Sequence, residues 1–82
     1  MDRPHLPDRD TPLGSFVRRR RRANGLTQQA LAELAGVGTR LVCELERGKP
    51  TLRMDAVNAV LGAFGKQLGP VELPRGGSVV DP

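Results

Sequence analysis

The sequence predicts an all-α domain of four or five short helices. Three observations carry this reading. Apolar residues recur at helical spacing in four successive stretches, each stretch is closed by a glycine (Gly25, Gly36, Gly48 and Gly65), and the helical period is lost only beyond Gly65.

The elements follow in order. Residues 1–11 carry Pro4, Pro7 and three aspartates without apolar periodicity, and read as a flexible arm that includes an inert His5. Thr11-Pro12 then reads as a helix start, a hydroxyl at the N-cap and proline at the first helical position. Leu13, Phe16, Val17, Arg20 and Arg21 share one stripe of this first helix, which Gly25 ends. Thr27 caps a second helix from Gln28 to about Ala35, with Ala30, Leu31, Leu34 and Ala35 expected inward. A third helix is expected from about Thr39 to Arg47, burying Leu41, Val42 and Leu45. A fourth is expected over Thr51–Phe64, with Leu52, Val57, Val60, Leu61 and Phe64 on one face. Residues 12–66 thus form the folded domain. Gln67–Leu73 reads as a short extended segment interrupted by Pro70, able to pair in a dimer or lie on a partner, or else a loose tail. Residues 74–82 read as disordered.

Bulk properties narrow the function. A chain of 82 residues suits one small domain with a marginal core. One cysteine, Cys43, permits no internal disulfide, and Cys43 with the distant His5 makes no zinc site, so no metal or cofactor is expected. Oligomerisation remains as the extra source of stability. A single free thiol suits a reducing cytosol. No apolar run approaches the ~20 residues of a membrane span, and the N-terminus lacks the apolar stretch of a secretory signal, so a cytoplasmic location is expected. There is no paired acid and base, no activated nucleophile and no metal constellation, which argues against an enzyme.

The net charge of +4 is unevenly spread. Residues 14–53 hold Arg18–Arg22, Arg40, Arg47, Lys49 and Arg53 against only Glu33, Glu44 and Glu46, whereas both flanking segments are slightly acidic. Such a central basic zone suits a polyanion-binding surface, although charge alone equally describes a solvated face. The five-arginine run runs all the way round a helix, so it cannot face one ligand. Arg21 follows Val17 by four residues and falls inward, where a guanidinium needs a carboxylate; Glu46 is the candidate. Arg18, Arg19 and Arg22 are left solvated or near phosphate.

The most informative stretch is Gln28–Glu46. Two short helices joined by a few residues need a small side chain at their crossing, which Ala32 supplies, and a left-handed residue in the turn, which Gly36 supplies. Val37, Val42 and Leu45 fill the space between them.

Gly25-Leu-Thr-Gln-Gln-Ala-Leu-Ala-Glu-Leu-Ala-Gly-Val37 and Leu45-Glu-Arg-Gly-Lys-Pro50 resemble the Cro/repressor-type (XRE) helix-turn-helix family over about residues 13–64. More narrowly, Phe16-Val-Arg18, Val42-Cys-Glu-Leu-Glu-Arg-Gly-Lys-Pro-Thr-Leu-Arg-Met-Asp55 and the short tail resemble HipB-type antitoxins, small dimeric repressors paired with a HipA-like kinase toxin. The resemblance implies a lambda-repressor-like domain that binds double-stranded DNA, a palindromic operator, as a homodimer. It implies that Thr39 and Arg40 begin a recognition helix reaching base edges, with Cys43 and Glu44 further along the exposed face. Arg40 suits a bidentate contact to guanine, and Glu44 either accepts from cytosine or holds Arg40. Gln28 and Thr27 match phosphate contacts at a helix N-terminus, and Arg18, Arg47, Lys49 and Arg53 are further phosphate candidates. The resemblance also implies the Arg21–Glu46 pair. Gly38 stands where family members often have serine or glutamine, which weakens the cap of the recognition helix. Leu61, Phe64, Leu68, Val71 and Leu73 are the expected dimer or partner contacts, with Met54 at the edge.

Overall fold

A computed structural model describes residues 12–73. The arm over residues 1–11, the Thr11 cap, His5 and the tail over residues 74–82 lie outside them. Four helices succeed one another: α1 Pro12–Ala23, α2 Gln28–Ala35, α3 Thr39–Glu46 and α4 Met54–Gly62. No strand is present among the described residues. Residues 67–73, expected to be extended and able to pair, form no regular element here.

All four helices end in the same way. Beyond each lies a glycine with positive φ: Gly25, Gly36, Gly48 and Gly65. The next residue's N–H reaches back five positions, as in Leu26 to Arg21, Val37 to Ala32, Lys49 to Glu44 and Lys66 to Leu61, each at 3.0 Å. This satisfies carbonyls that a helix end leaves without partners and turns the chain sharply enough for the next helix to pack back. At Gly36, with φ of 74°, the turn sets the geometry of α3 against α2.

The starts differ. Thr27 accepts from the Ala30 amide at 3.0 Å, the side-chain cap expected of it. Gly38 makes no side-chain cap for α3, and neither does Arg53 for α4.

The core comprises Val17, Leu31, Ala32, Val42, Leu45, Val57, Val60 and Leu61, drawn from all four helices. Leu13, Phe16, Leu41, Leu52, Phe64 and Leu68 are partly buried against it. Ala32 is 1% exposed, which fits a small side chain at the contact between helices.

Two expectations need correction. Leu34, placed inward by the sequence reading, is 66% exposed. At 100° per residue the buried side of α2 runs through Leu31, Ala35 and Ala32, and Leu34 falls outside that arc. The fourth helix is also shorter than Thr51–Phe64. Thr51–Arg53 stay non-helical, so Leu52 packs on the core from an irregular segment and Asp55 occupies the favourable first turn. At the far end, Ala63, Phe64 and Gly65 bond three residues back, a tightened exit rather than continued α-helix.

Candidate nucleic-acid interface

The site rests on a carboxylate. Glu46 closes α3, and its side chain is 1% exposed. Arg21 from α1 grips it twice, Nε to Oε2 at 2.6 Å and Nη2 to Oε1 at 3.1 Å, while its Nη1 donates to the Leu26 carbonyl at 2.9 Å. Gln28 Nε2, at the start of α2, donates to Glu46 Oε1 at 3.1 Å. Arg18 adds a third contact from α1: Nη2 donates to the Glu46 carbonyl at 3.1 Å, and Nε lies 3.6 Å from Oε1. Burial alone would push the Glu46 carboxyl up. The hydrogen bonds from Arg21 and Gln28 and the charges of Arg21 and Arg18 outweigh it and hold the group below its usual value. The Arg21 guanidinium is correspondingly raised, chiefly by its hydrogen bond to Glu46.

One carboxylate thus ties together the three helices that present the candidate surface. Arg18 and Gln28 are expected to point at phosphate, yet both use side-chain donors on Glu46. Helical spacing placed Arg21 inward and the family resemblance implied Glu46 as its partner, but neither ranked three donors around one acceptor.

The residues expected to reach base edges differ in exposure, Thr39 and Arg40 being exposed and Cys43 and Glu44 partly buried. Thr39 is exposed, and the Arg40 side chain is 89% exposed. Arg40 Nε contacts Glu44 Oε2 at 3.2 Å, one helical turn on. Lys49, from the turn after α3, reaches the same oxygen at 3.5 Å. Burial would raise Glu44, but hydrogen bonds and charge from Arg40 and Lys49 prevail and lower it. Cys43 is half-buried, its Sγ 4.0 Å from Arg47 Nη1. Arg40, Cys43, Glu44, Arg47, Lys49 and Pro50 line a shallow depression of about 350 Å³. Arg53 stands apart, paired with Asp55 at 2.6 Å. Its bond holds the Asp55 carboxyl below the usual range.

Three features escaped the sequence reading. Arg20 lies between two rings, 5.4 Å from the centroid of Phe16 and 5.7 Å from that of Phe64. The rings themselves meet edge to face, 6.5 Å apart. The i, i+4 spacing of Phe16 and Arg20 was a usable signal; the approach of Phe64 was not. Asn58 Oδ1 accepts from the Leu68 amide at 2.7 Å and fastens the tail to α4. The Lys49 arm on Glu44 is the third.

The expected partner contacts divide. Val71 and Leu73 are 85% and 62% exposed, and Met54 is 71% exposed. Phe64 and Leu68 are half-buried. Leu61, expected at a partner surface, is 3% exposed and belongs mainly to its own core. No helix among the described residues is long and apolar enough to cross a membrane.

Two short helices joined by a glycine turn, the second offering its polar side to solvent, define the helix-turn-helix class. A family model described as a helix-turn-helix domain matches residues 12–73. The chain is also 43% identical, over 53 residues, to an uncharacterised HTH-type transcriptional regulator, y4mF, of Sinorhizobium fredii. The match covers 65% of this chain and 70% of that protein. The chain belongs to the Cro/repressor-type (XRE) helix-turn-helix family of DNA-binding transcriptional regulators.

Proposed function

We propose that the protein is a sequence-specific repressor that binds a palindromic operator as a homodimer, with α3 in the major groove. The exposed face of α3 carries the reading. Thr39 and Arg40 are exposed at its first turn, and the α2 N-terminus is tied through Gln28 to Glu46, the last residue of α3. Arg40 would read guanine through its two-pronged guanidinium, and Thr39 and Cys43 would contact neighbouring base edges. Arg47 and Lys49 would take phosphates, with Thr27, Gln28 and Arg53 as further phosphate contacts; Arg18 would contribute mainly through the Glu46 cluster.

Dimerisation would use the exposed Val71 and Leu73 together with Phe64 and Leu68, around a groove of about 410 Å³ that Phe16, Leu68 and Val71 help to line. Two copies would then meet the duplex ~34–36 Å apart. Removing residues 67–82 should give a monomer in sedimentation; a truncated chain that stays dimeric assigns the dimer to α4.

The direct test is a salt titration of binding to a palindromic duplex. Affinity should fall steeply as salt rises. Absence of binding at low salt, or a flat response, overturns the proposal. A second reading, in which the chain neutralises a HipA-like kinase toxin, draws on the HipB-like motifs and the exposed Val71 and Leu73. Co-purification with the product of a neighbouring kinase-like gene would support it.

A further inference from the structure

Most cations on the candidate surface are already engaged. Arg18 and Arg21 lie on Glu46, Arg53 lies on Asp55, and Arg40 and Lys49 share Glu44. The last case joins a helix to the loop that follows it. Arg40 comes from the first turn of α3 and Lys49 from the loop after it, yet both converge on one carboxylate oxygen, Oε2. Glu44 is placed to reach both, one turn from Arg40 and at the rim of the depression that the loop closes. Its side chain is 22% exposed, against 89% for Arg40 and 44% for Lys49. The acceptor is therefore the better fixed partner, and the cations are the ones that can leave.

We infer that Glu44 is a specificity-determining residue that acts by restraint, holding Arg40 and Lys49 away from phosphate until a matching base edge or phosphate array replaces it. This rests on the DNA-binding reading above. The physical basis is competition. Non-specific affinity comes from cations that neutralise phosphates and release counterions. A carboxylate that occupies two cations and adds a negative charge of its own lowers that affinity on every sequence. On the operator, guanine O6 and N7 offer Arg40 a two-point acceptor that a phosphate does not place in the same register. The exchange is feasible because both contacts are solvent-accessible and at 3.2 and 3.5 Å. Specificity is a difference of affinities, and weakening the wrong complexes raises it as well as strengthening the right one.

The experiment compares the full chain with Glu44→Gln and with Glu44→Gln/Lys49→Met, on operator and on scrambled duplex, across a salt series. Restraint predicts that Glu44→Gln binds scrambled duplex roughly tenfold or more tightly at low salt, with the ratio of operator to scrambled affinity reduced. The salt slope should steepen by about one to two, since each cation freed onto phosphate contributes ~0.9. Adding Lys49→Met should remove about half of that steepening. An unchanged slope and unchanged scrambled affinity, with discrimination lost at a single base pair, would overturn restraint and make Glu44 a direct reader of a base. If the wild-type chain binds neither duplex at low salt, the DNA-binding reading fails first and this inference with it. If the wild type binds and Glu44→Gln behaves identically on both duplexes, only the inference fails.

Discussion

The Arg21 guanidinium meets the Glu46 carboxylate at 2.6 and 3.1 Å and so fixes α1 to the last residue of α3. Glu46 is almost wholly buried, so removing its main partner leaves the charge with only Gln28 and the more distant Arg18. Breaking a buried pair from one side costs about 3 kcal/mol or more. Arg21→Ala should therefore lower the melting temperature by over 10 °C, at roughly 4–8 °C per kcal/mol for a domain of this size. Arg21→Met/Glu46→Leu should recover much of the loss, because no orphan charge remains. A melting temperature unchanged by Arg21→Ala in circular dichroism would show that the pair does not hold the fold.

The same pair gives stability a pH dependence of known sign. The folded Glu46 carboxyl lies below its ordinary value of 4.5. Its contribution is thus fully present above the unfolded value and is lost as pH falls through the folded one. Arg21, raised chiefly by its hydrogen bond to Glu46, stays charged throughout the accessible range. Urea unfolding between pH 7 and pH 3 should show stability declining below about pH 4.5. Glu46→Gln should be less stable at pH 7 and flatter with acid. An equally steep decline in the variant would move the effect to the other lowered carboxyls, Glu44 and Asp55.

Within one run of arginines, neighbours have different tasks. Arg20 sits against Phe16 and Phe64, away from the Glu46 cluster. Cation–ring contacts of this kind contribute about 0.5–1 kcal/mol each. Arg20→Ala should cost about 1 kcal/mol of stability and leave the salt slope of DNA binding unchanged. A shallower slope with unaltered stability would instead place Arg20 on phosphate.

Much of the architecture was legible because its punctuation is local. A glycine closes each helix, and Thr27 caps α2, so boundaries near Gly25, Thr27 and Gly36 could be read without knowing the fold. What was illegible depends on three-dimensional competition. Glu46 has two carboxylate oxygens and a carbonyl, and whether Arg18 and Gln28 turn to it or to solvent is set by how α1 and α2 pack. Leu34 was misplaced because an eight-residue helix has room for only a narrow buried arc, and sequence alone does not centre it. The fourth helix was expected from Thr51, but Thr51–Arg53 stay non-helical and Leu52 packs on the core from there. Elimination carried the exposed face of α3 most of the way, since Leu41, Val42 and Leu45 turn inward and Glu46 was assigned to Arg21, leaving Thr39, Arg40, Cys43 and Glu44.

Arg40 and Arg47 should separate in binding assays. Arg40→Ala should lose about 1–3 kcal/mol of discrimination at one base pair, with little change on scrambled duplex. Arg47→Ala should weaken every sequence alike and reduce the salt slope by about 1. Equal losses for Arg40→Ala on all sequences would reassign it to the backbone.

The start of α3 is under-capped, and the structure leaves room to mend it. Gly38 is extended, with φ of −77° and ψ of 151°, a conformation any residue adopts. A Cβ built there meets nothing within 4 Å. Serine at this position would place a hydroxyl where the first-turn amides of α3 need an acceptor, in the way Thr27 serves Ala30. The gain over glycine is a few tenths of a kcal/mol, or about 1–2 °C in melting temperature. Gly36→Ala offers the contrast: it also meets nothing, but its φ of 74° strains any side chain and should cost about 1 kcal/mol. Because Thr39 and Arg40 sit on the turn that Gly38 begins, a better cap should also slow hydrogen exchange at their amides. If Gly38→Ser leaves both melting and exchange unchanged, the first turn of the recognition helix is already as ordered as packing against α2 can make it.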